Sequence, residues 1–282
     1  MPNIHKSALQ INGRSFKSVD DYALHGRGCA TSHPNRYQIE RNDERIRSAR
    51  IDVERIGGIE IDIQFIHLTL NDNGAISEAQ RARQVAVLNE AYSAAGVTFR
   101  YDPATVKVHE SAEWFVMDHG SVAERYAKSA LRASPERHLN FYTAGLTAGL
   151  LGWATFPWEL EGDRDRDGVV ILYSTLPGGD AEPYNLGLTA VHEIGHWLGL
   201  YHTFQGGCDA FGDHVGDTTS HSGPNSGTPD DLKPNNACKE GEVAPVHNYM
   251  NYVDDGWMTE FTRGQVERIK MHLAEYRRGF LT

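Results

Sequence analysis

From Ile59 the chain reads IEIDIQFIHLTL, alternating apolar and polar and then thickening into an apolar run. That is the pattern of a strand running from a half-exposed margin into a sheet. NDNG turns the chain, and Ser77 opens a helical stretch with Ala82, Val85, Leu88 (beside Val87) and Ala91 along one side and Gly96 at its end. VTFRY predicts a second strand, residues 106–109 a third, and residues 118–133 a helix stopped by Pro135. HLNFYTAG, LLGWATF and GVVILYS predict further strands, so helices alternate with strands in a twisted mixed sheet. A helix over 185–198 follows, with Asn185 as its N-cap. Residues 205–245 are rich in Gly, Asp, Pro and Asn and show no periodicity. The end is helical again: Thr262 and Gln265 form a capping box, and Val266, Ile269, Leu273 and Tyr276 keep helical spacing. Residues 1–50 stand apart. They are polar and Arg-rich, and the short helix predicted in RYQIERNDERIRSAR has few positions able to pack a core, so a loosely attached arm is expected.

The strongest chemistry lies in VHEIGHWLGLYHTF, residues 191–204. His192 and His196 are one helical turn apart and so project from one face, where both imidazoles can hold one metal. Glu193 comes along beside them, placed to deprotonate a water. Gly199 lets the chain leave the helix, and His202 can swing back as a third ligand. Three imidazoles plus water is the open arrangement of a catalytic zinc, whereas a structural zinc site is closed.

Composition narrows the context. The 282-residue chain allows one or two domains. Its net charge of −11 comes without a basic stripe, which argues against nucleic acid or an anionic membrane as partner. No apolar run has the length of a membrane span, and MPNIHKSALQINGRSF lacks the apolar core of a signal peptide. Three cysteines allow one disulfide and one thiol with a separate task. Cys208 and Cys238 can restrain the aperiodic region by closing a loop worth about 3–4 kcal/mol on a chain-entropy estimate. Asp163, Asp165, Asp167 and Gly168 look like half of a calcium loop, but its twelfth position is Ser174, so a solvated turn is expected.

HExxHxxGxxH is the signature of the metzincin metallopeptidases, and LGLYHTFQGGC resembles their pappalysin branch. The resemblance covers most of residues 57–276 and is densest over 188–265. It implies an α/β (α+β) fold with a twisted, mixed five-stranded sheet, packed helices and an active-site helix. An irregular lower subdomain with a C-terminal helix follows. Residues 1–54 would be a pro-segment and 55–282 the catalytic domain, its upper part about 55–202 and its lower part about 203–282. The implied activity is that of a secreted, zinc-dependent endopeptidase acting on protein or peptide substrates. His192, His196 and His202 would bind zinc, Glu193 would be the general base, Tyr252 would stabilise the oxyanion, and Met250 would floor the site. Gly152, Trp153 and Ala154 match the edge strand that pairs with substrate. Asp255 matches the base of the S1′ pocket, implying Arg or Lys at P1′. Cys29 in GCAT matches the cysteine that caps zinc in latent relatives, and Arg45, Arg47, Arg50 and Arg55 offer trypsin-like cleavage points. Asp213, Asp217 and Thr218 match calcium ligands, although Thr219 replaces the usual proline and the following glutamate is missing. Trp257 stands where relatives carry a cysteine, and the partner of that cysteine is missing too. Two readings of other classes remain open at this point: a non-catalytic zinc-binding adhesion or inhibitor module, and a zinc amidase.

Overall fold

A computed structural model of the chain describes residues 9–11, 14–16 and 28–282, apart from 148, 210 and 229–235. The rest of the N-terminal stretch, and parts of the aperiodic region, lie outside the described residues. A small antiparallel pair, β1 (Leu9–Ile11) and β2 (Arg14–Phe16), precedes the body.

The sheet is organised on β3 (Ile59–Thr69). The first half of β3 pairs with β4 (Val97–Arg100) and its last residues with β5 (Lys107–Glu110), while its other edge pairs with β6 (His138–Ala144). Then come β8 (Val169–Leu172) and, at the far edge, β7 (Gly152–Ala154). The sheet has the six strands that the pattern predicts, one more than the resemblance implies, because β4 and β5 share one edge of β3 in succession. All pairs are parallel except β7 with β8. The polar–apolar rhythm of β3 is borne out: Glu60 is exposed between buried Ile59 and Ile61, whereas Gln64 to Leu68 are buried throughout. Strands covered on both faces lose alternation in this way.

One face of the sheet packs on α2 (Glu78–Ala91), α5 (Leu188–Trp197) and α6 (Arg263–Tyr276), with Ile61, Phe65, Phe141 and Ile171 meeting Leu88, Val191, Ile194 and Leu273. The other face holds a smaller core of Ile66, Leu68, Tyr142, Trp153 and Val170 with Met117 and Ala127. Capping boxes start α2 at Ser77/Gln80 and α6 at Thr262/Gln265. The helix expected over 118–133 is shorter, α4 (Val122–Leu131), and follows the single turn α3 (Ala112–Phe115). Gly120 at φ 76° and the hydroxyl of Ser121, which accepts from Glu124 N, set the later start.

Two further expectations change. The N-cap of α5 is Gly187, at φ 86°, and not Asn185, whose amide donates instead to Gly179 O at 2.8 Å. A Cβ at Gly187 would lie 2.8 Å from Gln84 Oε1, so glycine suits both the dihedral and the space. The N-terminal arm, from residue 28 onward, is not loosely attached. Its helix α1 (Arg36–Ala49) buries Ile39, Asn42 and Ile46 and is fastened to α6 mainly by polar groups. Arg45 pairs with Glu275 and Glu161, Asp43 with Arg268 and His214, and Tyr276 donates to Asn42. Hydrophobic patterning registers none of these contacts. Of the four candidate cleavage arginines, Arg45 is thus engaged, while Arg50 and Arg55 are exposed just beyond the helix. The acidic turn at 163–167 also differs at one point: Asp167 is fully buried and paired with Arg277.

Candidate active site

The ligand geometry begins with α5. His192 Nδ1 lies 2.7 Å from Tyr249 O, and His196 Nδ1 lies 2.8 Å from Leu200 O. A carbonyl accepts only, so each Nδ1 carries the proton and each Nε2 turns a lone pair inward. Gly199, at φ 96°, breaks the helix, and the space a Cβ would need there is filled by the ring of His272. His202 then returns, its Nε2 only 3.0 Å from His196 Nε2. Burial depresses the pKa of both rings, that of His196 to about 3 and that of His202 well below the usual range, keeping them neutral and able to ligate. The Cys29 thiol sits 3.6 Å from His196 Nε2 and 3.5 Å from Glu193 Oε2. Donor atoms of Cys29, His192, His196 and His202 all lie within 4.8 Å of one another. Among the described residues no other such cluster of three or more His, Cys, Asp or Glu occurs. Converging lone pairs in a buried site demand a cation, and the nitrogen and sulfur donor set fits zinc.

Around these ligands, Met250 is fully buried beneath α5, and a Cβ on Gly195 would come within 2.4 Å of its Sδ. The phenol of Tyr252 reaches 3.2 Å from His202 Nε2. Glu193 lies against the edge strand, where a Cβ on Gly152 would be 2.9 Å from its Cγ. Trp153 faces the opposite side of the sheet, its indole donating to the buried Glu124 at 2.7 Å. Lys128 neutralises that carboxylate and, despite the cost of burial, holds its pKa down at about 2.

The arm closes the site. Gly28 O accepts from Leu151 N and Gly152 N, Ala30 N donates to Gly152 O, and Cys29 bridges Gly152 in the parallel sense. Thr31 was not foreseen, yet its hydroxyl donates to Glu193 Oε2 at 2.8 Å and accepts from Ala154 N at 2.9 Å. Its signal was available, since residues two apart in an extended segment share a face and Cys29 had been singled out. His33, also missed, packs on His202 with ring centroids 4.9 Å apart.

The remaining residues lie farther out. Asp255 Oδ2 accepts from Leu186 N at 2.9 Å and Leu188 N at 3.4 Å, supplying the side-chain cap that Gly187 cannot. Trp257 is 40% exposed, with its ring 6.3 Å from that of His247. Cys208 and Cys238 form a disulfide. Asp213, Asp217 and Thr218 line one surface pocket. Asp217 accepts from Thr262 Oγ1 and Gly264 N at the start of α6, whereas Asp213 is buried with its carboxyl pushed up to about 7 by desolvation.

Residues 134–274 match the M43 peptidase family described as pregnancy-associated plasma protein-A. The extracellular metalloprotease 1 of Coccidioides posadasii is 39% identical over 210 residues, which span 73% of each chain. An extracellular metalloprotease of Pyricularia oryzae is 40% identical over 221 residues, 76% of this chain and 75% of that one. The chain belongs to the M43, or pappalysin, family of metallopeptidases. Among solved pappalysin-like structures, a mutant of Tannerella forsythia promirolysin is similar with a TM-score of 0.75 at 27% identity, covering 90% of this chain and 97% of that one. Mature mirolysin of Tannerella forsythia in complex with a cleaved peptide gives 0.67 at 27% identity, covering 80% and 99%. With the ligand cluster and this kinship together, the chain is a zinc-dependent, secreted metalloendopeptidase of the pappalysin family. The readings as an amidase or a non-catalytic module fall away. Among the described residues no helix is long and apolar enough to cross a membrane.

Proposed function

We propose that this endopeptidase is made as a latent zymogen, with residues 1–54 as its pro-segment, and that the mature enzyme cleaves before Arg or Lys. The observation that carries latency is the Cys29 thiol standing fourth around the three histidines while its backbone occupies β7. Consistent with it, the likeness to promirolysin covers 90% of this chain and that to mature mirolysin 80%. Support for the P1′ preference is the buried carboxylate of Asp255, close in the chain to Tyr252 and packed at the start of α5. A carboxylate held in such surroundings selects a cation.

His192, His196 and His202 would hold zinc, which when bound would supply the Lewis acidity that acidifies a water and polarises a carbonyl. The chain's own groups do the rest. With the arm gone, the outward N–H and C=O of Gly152 and the N–H of Ala154 pair with an extended peptide. Glu193 takes the proton of the attacking water and returns it to the leaving nitrogen. Tyr252 donates its phenolic hydrogen to the developing oxyanion. Glu193→Ala protein should keep its zinc and lose cleavage of casein, and chelator-sensitive hydrolysis by that variant would refute the assignment. Mass spectrometry of peptide-library products tests P1′: Asp255→Ala enzyme should lose its bias toward Arg and Lys, and an unbiased parent enzyme contradicts the reading. Calcium in the loop holding Asp213, Asp217 and Thr218 belongs to the same proposal, supported by two buried side-chain oxygens there, Asp213 Oδ2 and Thr218 Oγ1. Calorimetric titration of calcium into the protein tests it, and the absence of any binding heat refutes it.

A further inference from the structure

The arm makes two separate attachments to the reaction centre. One is Cys29, at the metal ligands. The other is Thr31, whose hydroxyl sits between Glu193 Oε2, 2.8 Å away, and Ala154 N, 2.9 Å away, with the residue itself 1% exposed. The geometry follows from chain direction. Gly28 O and Ala30 N satisfy the Gly152 N–H and C=O by backbone pairing, but the next outward donor of the edge, Ala154 N, is met by a side chain instead. Cys29 and Thr31, two apart in extended backbone, project to the same side, so the hydroxyl that reaches the edge also reaches the carboxylate. A hydroxyl has one proton to give and lone pairs to receive, which suits it to sit between a carboxylate and an N–H.

We propose that Thr31 is a second latch of the zymogen: its hydroxyl occupies the general base Glu193 and, at the same time, the substrate-pairing donor Ala154 N. This rests on the zymogen reading above. Cys29 blocks the ligand position and Thr31 blocks the base, so loss of either contact alone leaves the enzyme partly restrained. A base whose oxygen already accepts a hydrogen bond is a poorer proton acceptor, and an edge whose N–H is engaged cannot add a substrate strand.

The test uses the full-length, zinc-loaded chain with Thr31→Val, Thr31→Ala, Thr31→Ser, Cys29→Ala and the Cys29→Ala/Thr31→Val pair. Casein hydrolysis is read before any self-cleavage. Amide hydrogen exchange at Ala154 is read on the same proteins without metal. Thr31→Val and Thr31→Ala should each raise the basal rate about ten- to a hundredfold, the range expected for one hydrogen bond to a charged group. Both should also speed exchange at Ala154. Thr31→Ser keeps the hydroxyl and should match the parent in both readouts, and the pair should exceed either single variant. If Thr31→Val and Thr31→Ala stay as latent as the parent while Cys29→Ala is active, the latch is refuted and the cysteine acts alone. Unchanged Ala154 exchange in both also refutes it. If every variant, and the chain trimmed of its arm by trypsin, fails to cleave casein, the protease zymogen reading itself fails, a result distinct from the first.

Discussion

Asp167 and Arg277 form a fully buried pair, and the structure allows the cost of breaking it to be worked out. The guanidinium grips both carboxylate oxygens, Nη2 to Oδ1 at 2.7 Å and Nη1 to Oδ2 at 3.1 Å. The same carboxylate accepts from Trp197 Nε1 at 3.1 Å and from Thr155 Oγ1 at 3.1 Å. Arg277 in turn donates through Nε to Trp197 O and lies 3.7 Å from the indole centroid. The cluster therefore clamps the last turn of α5, which carries His196, to the end of α6. Asp167→Ala strands a cation and an indole N–H in the interior, while the Thr155 hydroxyl keeps its bonds to Gly168. Breaking a buried pair in this way costs about 3–5 kcal/mol, a large share of the roughly 5–15 kcal/mol that holds a domain folded. Arg277→Met costs less, about 3 kcal/mol, because Trp197 and Thr155 still serve the carboxylate. The double variant buries no charge, so its loss should fall short of the sum by about 2 kcal/mol or more. Urea unfolding followed by tryptophan fluorescence, in the Glu193→Ala background to prevent self-cleavage, reads all three. With a slope of about 3 kcal/mol per molar, Asp167→Ala should lower the midpoint by more than about 1 M. A shift below about 0.3 M, or strictly additive variants, would falsify the reasoning.

Other expectations follow from single sites. Gly152→Ala places a methyl 2.9 Å from Glu193 Cγ and 2.8 Å from Val170 O. The arm-free enzyme should keep its zinc and lose about a hundredfold in kcat/KM, as a misplaced catalytic group does; a change within twofold contradicts the steric argument. Reducing the Cys208–Cys238 bond, which spans 30 residues of sequence, should cost about 3–4 kcal/mol on the chain-entropy estimate, checked by thermal melts with and without reductant. Acid should destabilise the fold through His67, His221 and His272. Burial depresses their pKa, to about 3 and about 4 for the first two and well below the usual value for the third. Their contribution is complete above the unfolded value of about 6.5 and is lost as pH falls below it, at about 1.4 kcal/mol per unit for each group. Asp213, raised to about 7, works in the opposite direction and cancels one of the three down to about pH 4. A net fall of about 3 kcal/mol per unit between pH 6 and 4 is expected from urea midpoints, and a flat profile there contradicts it.

The zinc site was legible because its three histidines and Glu193 lie within eleven residues, where helix geometry and one glycine settle their directions. The strands were legible for a similar reason, since alternation in IEIDIQFIHLTL is local. What the sequence did not disclose are partnerships between polar residues far apart. Asp167 looked like the end of a solvated turn because nothing near it announces Arg277, 110 residues on. The helix at 36–49 looked unanchored because Asp43, Arg45 and Asn42 work through ion pairs and hydrogen bonds with α6, which leave no apolar period. Asn185 is a good capping residue, but the tight approach of Gln84 at Gly187 and the carboxylate of Asp255 decided the start of α5. All six strands could be read from the pattern; the count of five belonged to the resemblance, and the difference is that β4 and β5 pair in succession with one edge of β3.

If the chain is the zymogen proposed above, the docking of α1 on α6 has a consequence for how its restraint would be lifted. While the peptide chain is continuous through residues 50–58, the arm is presented to its dock at a high effective concentration that no dilution can change. A single cut in that stretch turns the same contacts into an encounter between two molecules. From then on the hold of Arg45 on Glu275 and of Asp43 on Arg268 depends on how much protein surrounds them. On the proposed zymogen reading, the severed arm would rebind in a crowded store and be lost after release into a large volume, so that dilution itself would complete the activation.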